Sequence, residues 1–356
     1  MEYLILTINP GSTSTKIALF KNEAEVFKES LNHPQEVIEA FGGLLEQIPL
    51  RRTVVLEALE KHGYRPEDLA IVMGRGGLFP PIKTGGYKVN GRMLNMILNQ
   101  EIPSHASNLG AVLAHEIASV AGIDAYIYDA VSANDLPQIA KITGLKEIER
   151  KGFYHVLNSR RAALRYSQSV GKSYEQMNLI VAHLGGGITI GVHEKGKIID
   201  SLSDDNGPFA PERAGGLPAL DVIELCFSGK YTKKDMQKKI RGMGGLRDLL
   251  GTSDGREIKK RVDNGDELAI QMMKAQAYQI AKGIGQLAPV LKGQCDAIIL
   301  TGGLAYNEAL IEDVKSYISF LAPIIVMPGE YEMEALALGG LRILRQEEAV
   351  HEFDIN

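Results

Sequence analysis

Two short stretches concentrate residues suited to holding an anion. The first, Asn9-Pro10-Gly11-Ser12-Thr13-Ser14-Thr15-Lys16, follows the apolar, β-branched run 4–8. Strand-forming residues on both sides, with glycine, proline and hydroxyls between, predict a hairpin. Its turn gathers backbone N–H groups, hydroxyls and one amine at one point, which suits a cluster of anionic oxygens. The second stretch, His183-Leu184-Gly185-Gly186-Gly187-Ile188-Thr189, repeats the shape between two further apolar runs. Gly11 and Gly185 occupy matching positions about half of the 356 residues apart, which predicts a duplicated domain with a phosphate between the copies.

Other residues carry chemistry singly. Arg75 sits in the turn Gly74-Arg75-Gly76-Gly77 at a strand end, and Arg213 in the turn Pro211-Glu212-Arg213-Ala214-Gly215. His105 and His155 lie in loops, Asp129 ends the predicted strand 125–128, and Glu332 and Glu334 open the last helix. Each has a bland reading too: a solvated arginine, a half-buried imidazole, a glutamate favoured by the helix dipole. Phosphoryl transfer is catalysed mainly by positioning and by cations spread over the moving oxygens. A carboxylate acceptor, with a pKa of about 4–5, is already ionised at neutral pH and needs no general base. It needs arginines instead, whereas a sugar hydroxyl needs an aspartate base.

Together, Asn9-x-Gly11-Ser12-Thr13-Ser14-x-Lys16 and His183-x-Gly185-x-Gly187-x-Thr189-Ile190 resemble the two signatures of the acetate/butyrate kinase family, in order and at domain spacing. The resemblance covers nearly the whole chain and is closer to butyrate kinase. It implies an α/β fold of two ribonuclease H-like domains, as in the actin and sugar-kinase superfamily, with a cleft between them. It also implies an enzyme that uses ATP/ADP and Mg²⁺ to make an acyl phosphate reversibly by direct in-line transfer.

By the same resemblance, Arg75 holds the acceptor carboxylate through its forked guanidinium. Arg213 and His155 serve the transferring group, with Asn9, His105 and Asp129 beside them. Gly11, Ser12, Ser14, Lys16, His183, Gly185, Gly186 and Gly187 belong to the phosphate side, and Asp254, Arg256, Gly302, Gly303 and Asn307 to the adenosine side. Glu334, with Glu332 as the alternative, and Asp129 belong to the metal side. The chain departs from acetate kinases at Ser159, where they carry a second histidine, and at Ala106-Ser107-Asn108, where they have asparagine and two prolines. Gly255 replaces a bulky residue, and 204–208 replace a threonine-rich approach. The missing second histidine, the shorter chain and the segment 329–336 favour butyrate as acceptor. Acetate, propionate or a branched-chain acid is the rival substrate. The rival function is an actin- or chaperone-like nucleotide switch, which the paired arginines and the lack of a partner-binding insertion argue against.

The elements that must position these residues follow from pattern. Strands are expected at 4–8, from 15, at 25–27, 69–73, 125–128, 178–183, 187–193, 197–201 and 297–300. Helices are expected at 35–62 with a break at Pro49, from Ser107 to Gly122, near 134–143 and 158–170, at 218–227, at 267–291, near 307, and from 332. The 267–291 helix, apolar on most sides, is expected deep between domains or at a subunit contact. The domains are expected to be 1–150 plus 331–356 on the acceptor side and 151–330 on the nucleotide side. A net charge of −5 excludes a broad nucleic-acid surface. Cys226 and Cys295 read as small buried hydrophobes. With no leader and no apolar run near roughly 20 residues, a cytoplasmic homo-oligomer that engages no membrane is expected.

Overall fold

The structure, a computed structural model, describes residues 1–354. Contacts divide the chain into two compact units: Met1–Ala133 with the residues from Tyr331 onward, and Asn134–Glu330. The division falls at Ala133/Asn134, earlier than the expected 150/151. Residues 134–150 are tied into the second unit, where Asp135 N donates to Ile198 O and Arg150 pairs with Asp200 at 2.9 Å.

In the first unit six strands form one sheet in the order β3-β2-β1-β4-β6-β5. They are β1 Leu4–Pro10, β2 Ser14–Lys21, β3 Ala24–Asn32, β4 Ile71–Arg75, β5 Gly86–Lys88 and β6 Ala125–Tyr128. β1, β2 and β3 form an antiparallel meander, while β4 and β6 extend the sheet in parallel with β1. Parallel strands need crossovers, supplied by the helices Ile48–Lys61 and Leu109–Ala121. Gly63 and Gly122, both at positive φ, follow the ends of these helices. Pro49 does not break the first of them. It lies in the first turn, where a missing N–H costs nothing, and the preceding stretch holds only the short helix Gln35–Glu39 and a 3₁₀ turn.

The second unit repeats the plan with β7 Asn178–Leu184, β8 Ile188–Glu194, β9 Lys197–Leu202, β10 Ala297–Gly302 and β11 Ile324–Pro328 in the order β11-β10-β7-β8-β9. This is the order of the first sheet without its β5, so the duplication expected from the two glycine turns extends to topology. Helix Glu267–Leu287 packs on this unit's sheet through Ala277, Ile280, Ala281, Ile284 and Leu287. It is thus a core helix of the second unit, packed on that unit's own sheet. Helix Ala219–Phe227 behaves oppositely. None of its residues is buried, and Cys226 is exposed, which corrects the expected burial of that thiol. Cys295 is half-buried beside β10. No described helix is long and apolar enough to cross a membrane.

Candidate active site

In the first unit, strand register brings the sequence candidates together. Ile8 pairs with Gly74 across the parallel β1/β4 ladder, so the next residues, Asn9 and Arg75, leave the sheet side by side. Arg75 Nη1 donates to Asn9 Oδ1 at 3.1 Å. Lys16 stands opposite Asn9 in the antiparallel ladder, on the same face. Helix Glu332–Leu344 lies across β1, β4 and β6, and its small residues permit the approach. A methyl at Gly340 would lie 2.8 Å from Met73 Cγ, and one at Gly339 2.8 Å from the Tyr128 ring. So seated, the helix aims Glu332 at the cluster. Its Oε2 accepts from Asn9 Nδ2 at 2.6 Å and Arg75 Nη1 at 3.2 Å, and its Oε1 pairs with Arg75 Nη2 at 3.2 Å. Glu332, not Glu334, is therefore joined to Arg75 and Asn9; two positions along a helix is about 200° of rotation.

The loop after Arg75 is pinned by residues the sequence reading passed over. Gly110 opens the helix behind it so closely that a methyl there would sit 2.3 Å from Arg75 O, and one at Gly74 2.2 Å from Gly110 O. Asn108 Oδ1 accepts from Leu78 N at 2.9 Å while its Nδ2 donates to Pro103 O. His105 Nδ1 lies 2.7 Å from Ser107 Oγ and accepts from Ser107 N, a turn-capping role. Asp129, buried at positive φ, accepts from Gly85 N at 2.8 Å, and its own N–H donates to Gly85 O. At the Gly11–Ser14 turn, Ser12 and Thr13 stand exposed, and Gly11 N donates to Ser14 O.

In the second unit the glycine turn Gly185-Gly186-Gly187 joins β7 to β8, and the ladder sets His183 opposite Thr189. His155 bonds Thr189 Oγ1 through Nδ1 at 2.9 Å and stacks on His183, centroids 4.0 Å apart. Asn158 Nδ2 lies 2.8 Å from His183 Nδ1, so that nitrogen accepts. A methyl on Gly187 would lie 3.6 Å from His155 Cε1, 3.7 Å from Asp204 Cβ and 3.8 Å from Arg213 Cγ. His155, Asp204 and Arg213 thus converge on the turn. Arg213 Nε donates to Asp204 Oδ2 at 3.1 Å, and Arg241 Nη2 takes Asp204 Oδ1 at 2.7 Å. One carboxylate holds two guanidinium groups in place, and neither Asp204 nor Arg241 was a candidate.

Deeper support comes from Tyr154, next to His155. Its hydroxyl donates to Val181 O and accepts from His193 Nε2, while Tyr174 donates to His193 Nδ1. Burial lowers the His193 pKa to about 3 and raises that of Tyr154, so both are neutral.

The adenosine-side candidates divide. Asp254, Arg256, Gly303 and Asn307 line one cavity of about 760 Å³ with Ile258, Met273 and Leu304, a size suited to a nucleotide. Asp254 and Asn307 also cap helices, accepting from Arg256 N and Leu310 N. The Arg256 N–H bond keeps the Asp254 carboxyl below its usual pKa. Gly302 lies outside the cavity lining and exchanges backbone bonds with Gly329.

A model of the acetokinase family matches residues 115–322, more than half of the sequence. The chain belongs to the acetokinase family. Solved structures agree in fold. An acetate kinase from Porphyromonas gingivalis is 20% identical, with 96% of this chain and 100% of that chain covered at a TM-score of 0.78. An acetate kinase from Entamoeba histolytica and a propionate kinase from Francisella tularensis are each 16% identical, with 94% of this chain and 98% of theirs covered, at TM-scores of 0.75 and 0.73. The fold is the expected α/β pair of ribonuclease H-like domains. Acetokinase-family members are carboxylate phosphotransferases that use ATP or ADP with Mg²⁺.

Proposed function

We propose that this acetokinase-family chain is an ATP-dependent short-chain fatty acid kinase with butyrate as its preferred acceptor. The observation that carries the carboxylate acceptor is the Arg75–Asn9–Glu332 cluster, a planar guanidinium held by two partners at a strand end. A guanidinium fixed in this way fits a substrate that arrives already ionised.

Arg75 would hold the acceptor carboxylate by its forked guanidinium. Arg213, fixed by Asp204, would carry charge on the transferring group, with His155 donating beside it. MgATP, when bound, supplies the phosphoryl group and the cation that neutralises its oxygens. The chain's donor set suits that group. The 760 Å³ cavity offers Asp254, Arg256, Gly303 and Asn307 to a nucleoside. No group of three or more His, Cys, Asp or Glu among the described residues forms a protein-only cage. Mg²⁺ normally takes one or two carboxylates plus phosphates and water, which Glu332, Glu334 or Asp129 would provide.

Butyrate is favoured by Ser159 in place of a second histidine and by the segment 329–336. The acetate and propionate kinases among the structural relatives support the rival acceptors comparably. The exposed apolar helix Ala219–Phe227, with Leu220 and Phe227 78% and 86% exposed, supports a homo-oligomer.

The test is kcat/KM for acetate through hexanoate at saturating MgATP. Two methylenes at about 0.8 kcal/mol each exceed one decade, so butyrate should beat acetate at least ~10-fold. A series peaking at acetate overturns the butyrate assignment. No acyl phosphate from any short carboxylate, while ATP still binds, favours the nucleotide switch.

A further inference from the structure

Arg51 sits on helix Ile48–Lys61 with no exposed surface. All five of its N–H donors are used. Nε and Nη2 reach Gln47 Oε1 at 3.1 and 2.9 Å, Nη1 reaches Ser14 O at 3.0 Å and Thr15 Oγ1 at 2.9 Å, and Nη2 reaches Ser12 O at 3.0 Å. A guanidinium has five such donors, so the hydrogen bonding is complete. The charge is not balanced, however. Every acceptor is neutral, and the residue lies in the first turn of a helix, where the dipole disfavours a cation.

A buried charge is costly unless it is paired, so proteins seldom keep one without use. Three of the five bonds go to residues 12–15, at the hairpin turn that the family resemblance assigns to the phosphate side. Those bonds draw the carbonyls of Ser12 and Ser14 inward, beneath the exposed tip. His33 reinforces the arrangement. Its Nε2 lies 2.9 Å from Thr15 Oγ1, and burial together with Arg51 lowers its pKa, so a second cation is not added there.

We propose that Arg51 is a positioning residue for an anion at the Gly11–Ser14 turn, clamping the turn from beneath and supplying the charge that an anionic ligand balances without touching it. This rests on the phosphate reading of the turn, and the ligand class is a phosphate or phosphoryl oxygen cluster. A unit charge roughly 7 Å away, at an effective dielectric of about 20, changes anion binding by on the order of 50-fold.

The experiment titrates inorganic phosphate into the full chain at constant ionic strength and follows the amide resonances of Gly11, Ser12 and Thr13. Those amides separate this turn from the one at 185–187. In the wild type they should shift on addition of phosphate; no shift overturns the proposal. Arg51→Gln should weaken the phosphate response about 10- to 50-fold. Wild-type affinity in a folded Arg51→Gln variant also overturns it. Arg51→Lys keeps the charge and loses the fork, and should stay within about fivefold of wild type. A larger loss in Arg51→Lys overturns the charge assignment even where Arg51→Gln fails to fold. Acyl phosphate formation is scored separately, so a failure of the acceptor reading leaves this result legible.

Discussion

Glu332 and Glu334 are separable by one measurement. Glu332 makes a two-point contact with Arg75 and takes the short bond from Asn9, with only 13% of its side chain exposed. Glu332→Gln keeps one carbonyl oxygen but sets an amide NH₂ against the guanidinium. Two charge-assisted bonds, each worth about 1.5 kcal/mol net at this partial exposure, are weakened. The resulting ~3 kcal/mol corresponds to roughly a 10²-fold drop in kcat/KM, at 1.36 kcal/mol per decade. Glu334→Gln, a change about 200° round the helix, should stay within about threefold. The assay is initial rate against Mg²⁺ and acceptor concentration for both variants, with circular dichroism to confirm folding. The Mg²⁺ and acceptor dependences should both shift in Glu332→Gln. A full-rate Glu332→Gln enzyme beside a crippled Glu334→Gln enzyme would refute the reasoning and return the metal side to Glu334.

Gly110→Ala drives a methyl to 2.3 Å from Arg75 O, so the backbone must yield. We expect about 1–3 kcal/mol of destabilisation in urea unfolding, together with at least ~10-fold lower kcat; unchanged kinetics would show that the Arg75 loop tolerates the shift. His193 has its folded pKa lowered from the usual 6.5 to about 3, so below pH 6.5 the unfolded chain takes up a proton that the folded chain refuses. Stability should therefore fall from pH 6.5 toward pH 3, by about 2 to 3 kcal/mol at pH 4.5, and His193→Gln should flatten that slope in urea titrations.

The juxtaposition of Asn9 and Arg75 in the candidate site was legible because local chemistry and strand register agree. A strand ending in glycine and hydroxyls can only turn, and parallel neighbours then place Asn9 beside Arg75. Glu332 also had a local signal. With Leu336, Gly339 and Gly340 it follows the i, i+4, i+7, i+8 stripe of a helix face, and that stripe faces the sheet. Arg51 had one too. It occupies the stripe Ile48, Arg51, Val55, Ala58 and Leu59, the only charge among buried neighbours. A charged residue at a core position reads as a phase error until the hairpin it clamps is known. Gly110 and Asp204 left no comparable trace. The first matters only because a helix and a strand far apart in sequence meet backbone to backbone. The second matters only because Arg213 and Arg241 are bridged across a loop. Cys226 misled for the converse reason: apolar composition describes what a helix would bury, not whether this chain supplies a surface to bury it.

The arrangement of charge separates two kinds of cation. Arg75 and Arg213, the guanidinium groups proposed to meet substrate, each rest against a carboxylate, Glu332 and Asp204. Such pairing lowers their field, yet it removes the rotamer freedom of a long side chain, which costs up to about 2 kcal/mol to freeze. A catalytic donor gains most from being fixed before the reaction, since its stabilisation is then not spent on ordering it. Arg51 follows the opposite rule: fixed by neutral acceptors, it keeps its full charge. Direct contact with substrate therefore falls to the paired arginines, and the turn clamp with its background potential to the unpaired one. A substitution that preserves charge should then be tolerated at Arg51 and not at Arg75. Arg75→Lys, which loses the fork that spans Asn9 and Glu332, should lose on the order of 10²-fold in kcat/KM. Equal tolerance of lysine at both positions, read from phosphate binding for Arg51→Lys and from turnover for Arg75→Lys, would remove this division of labour.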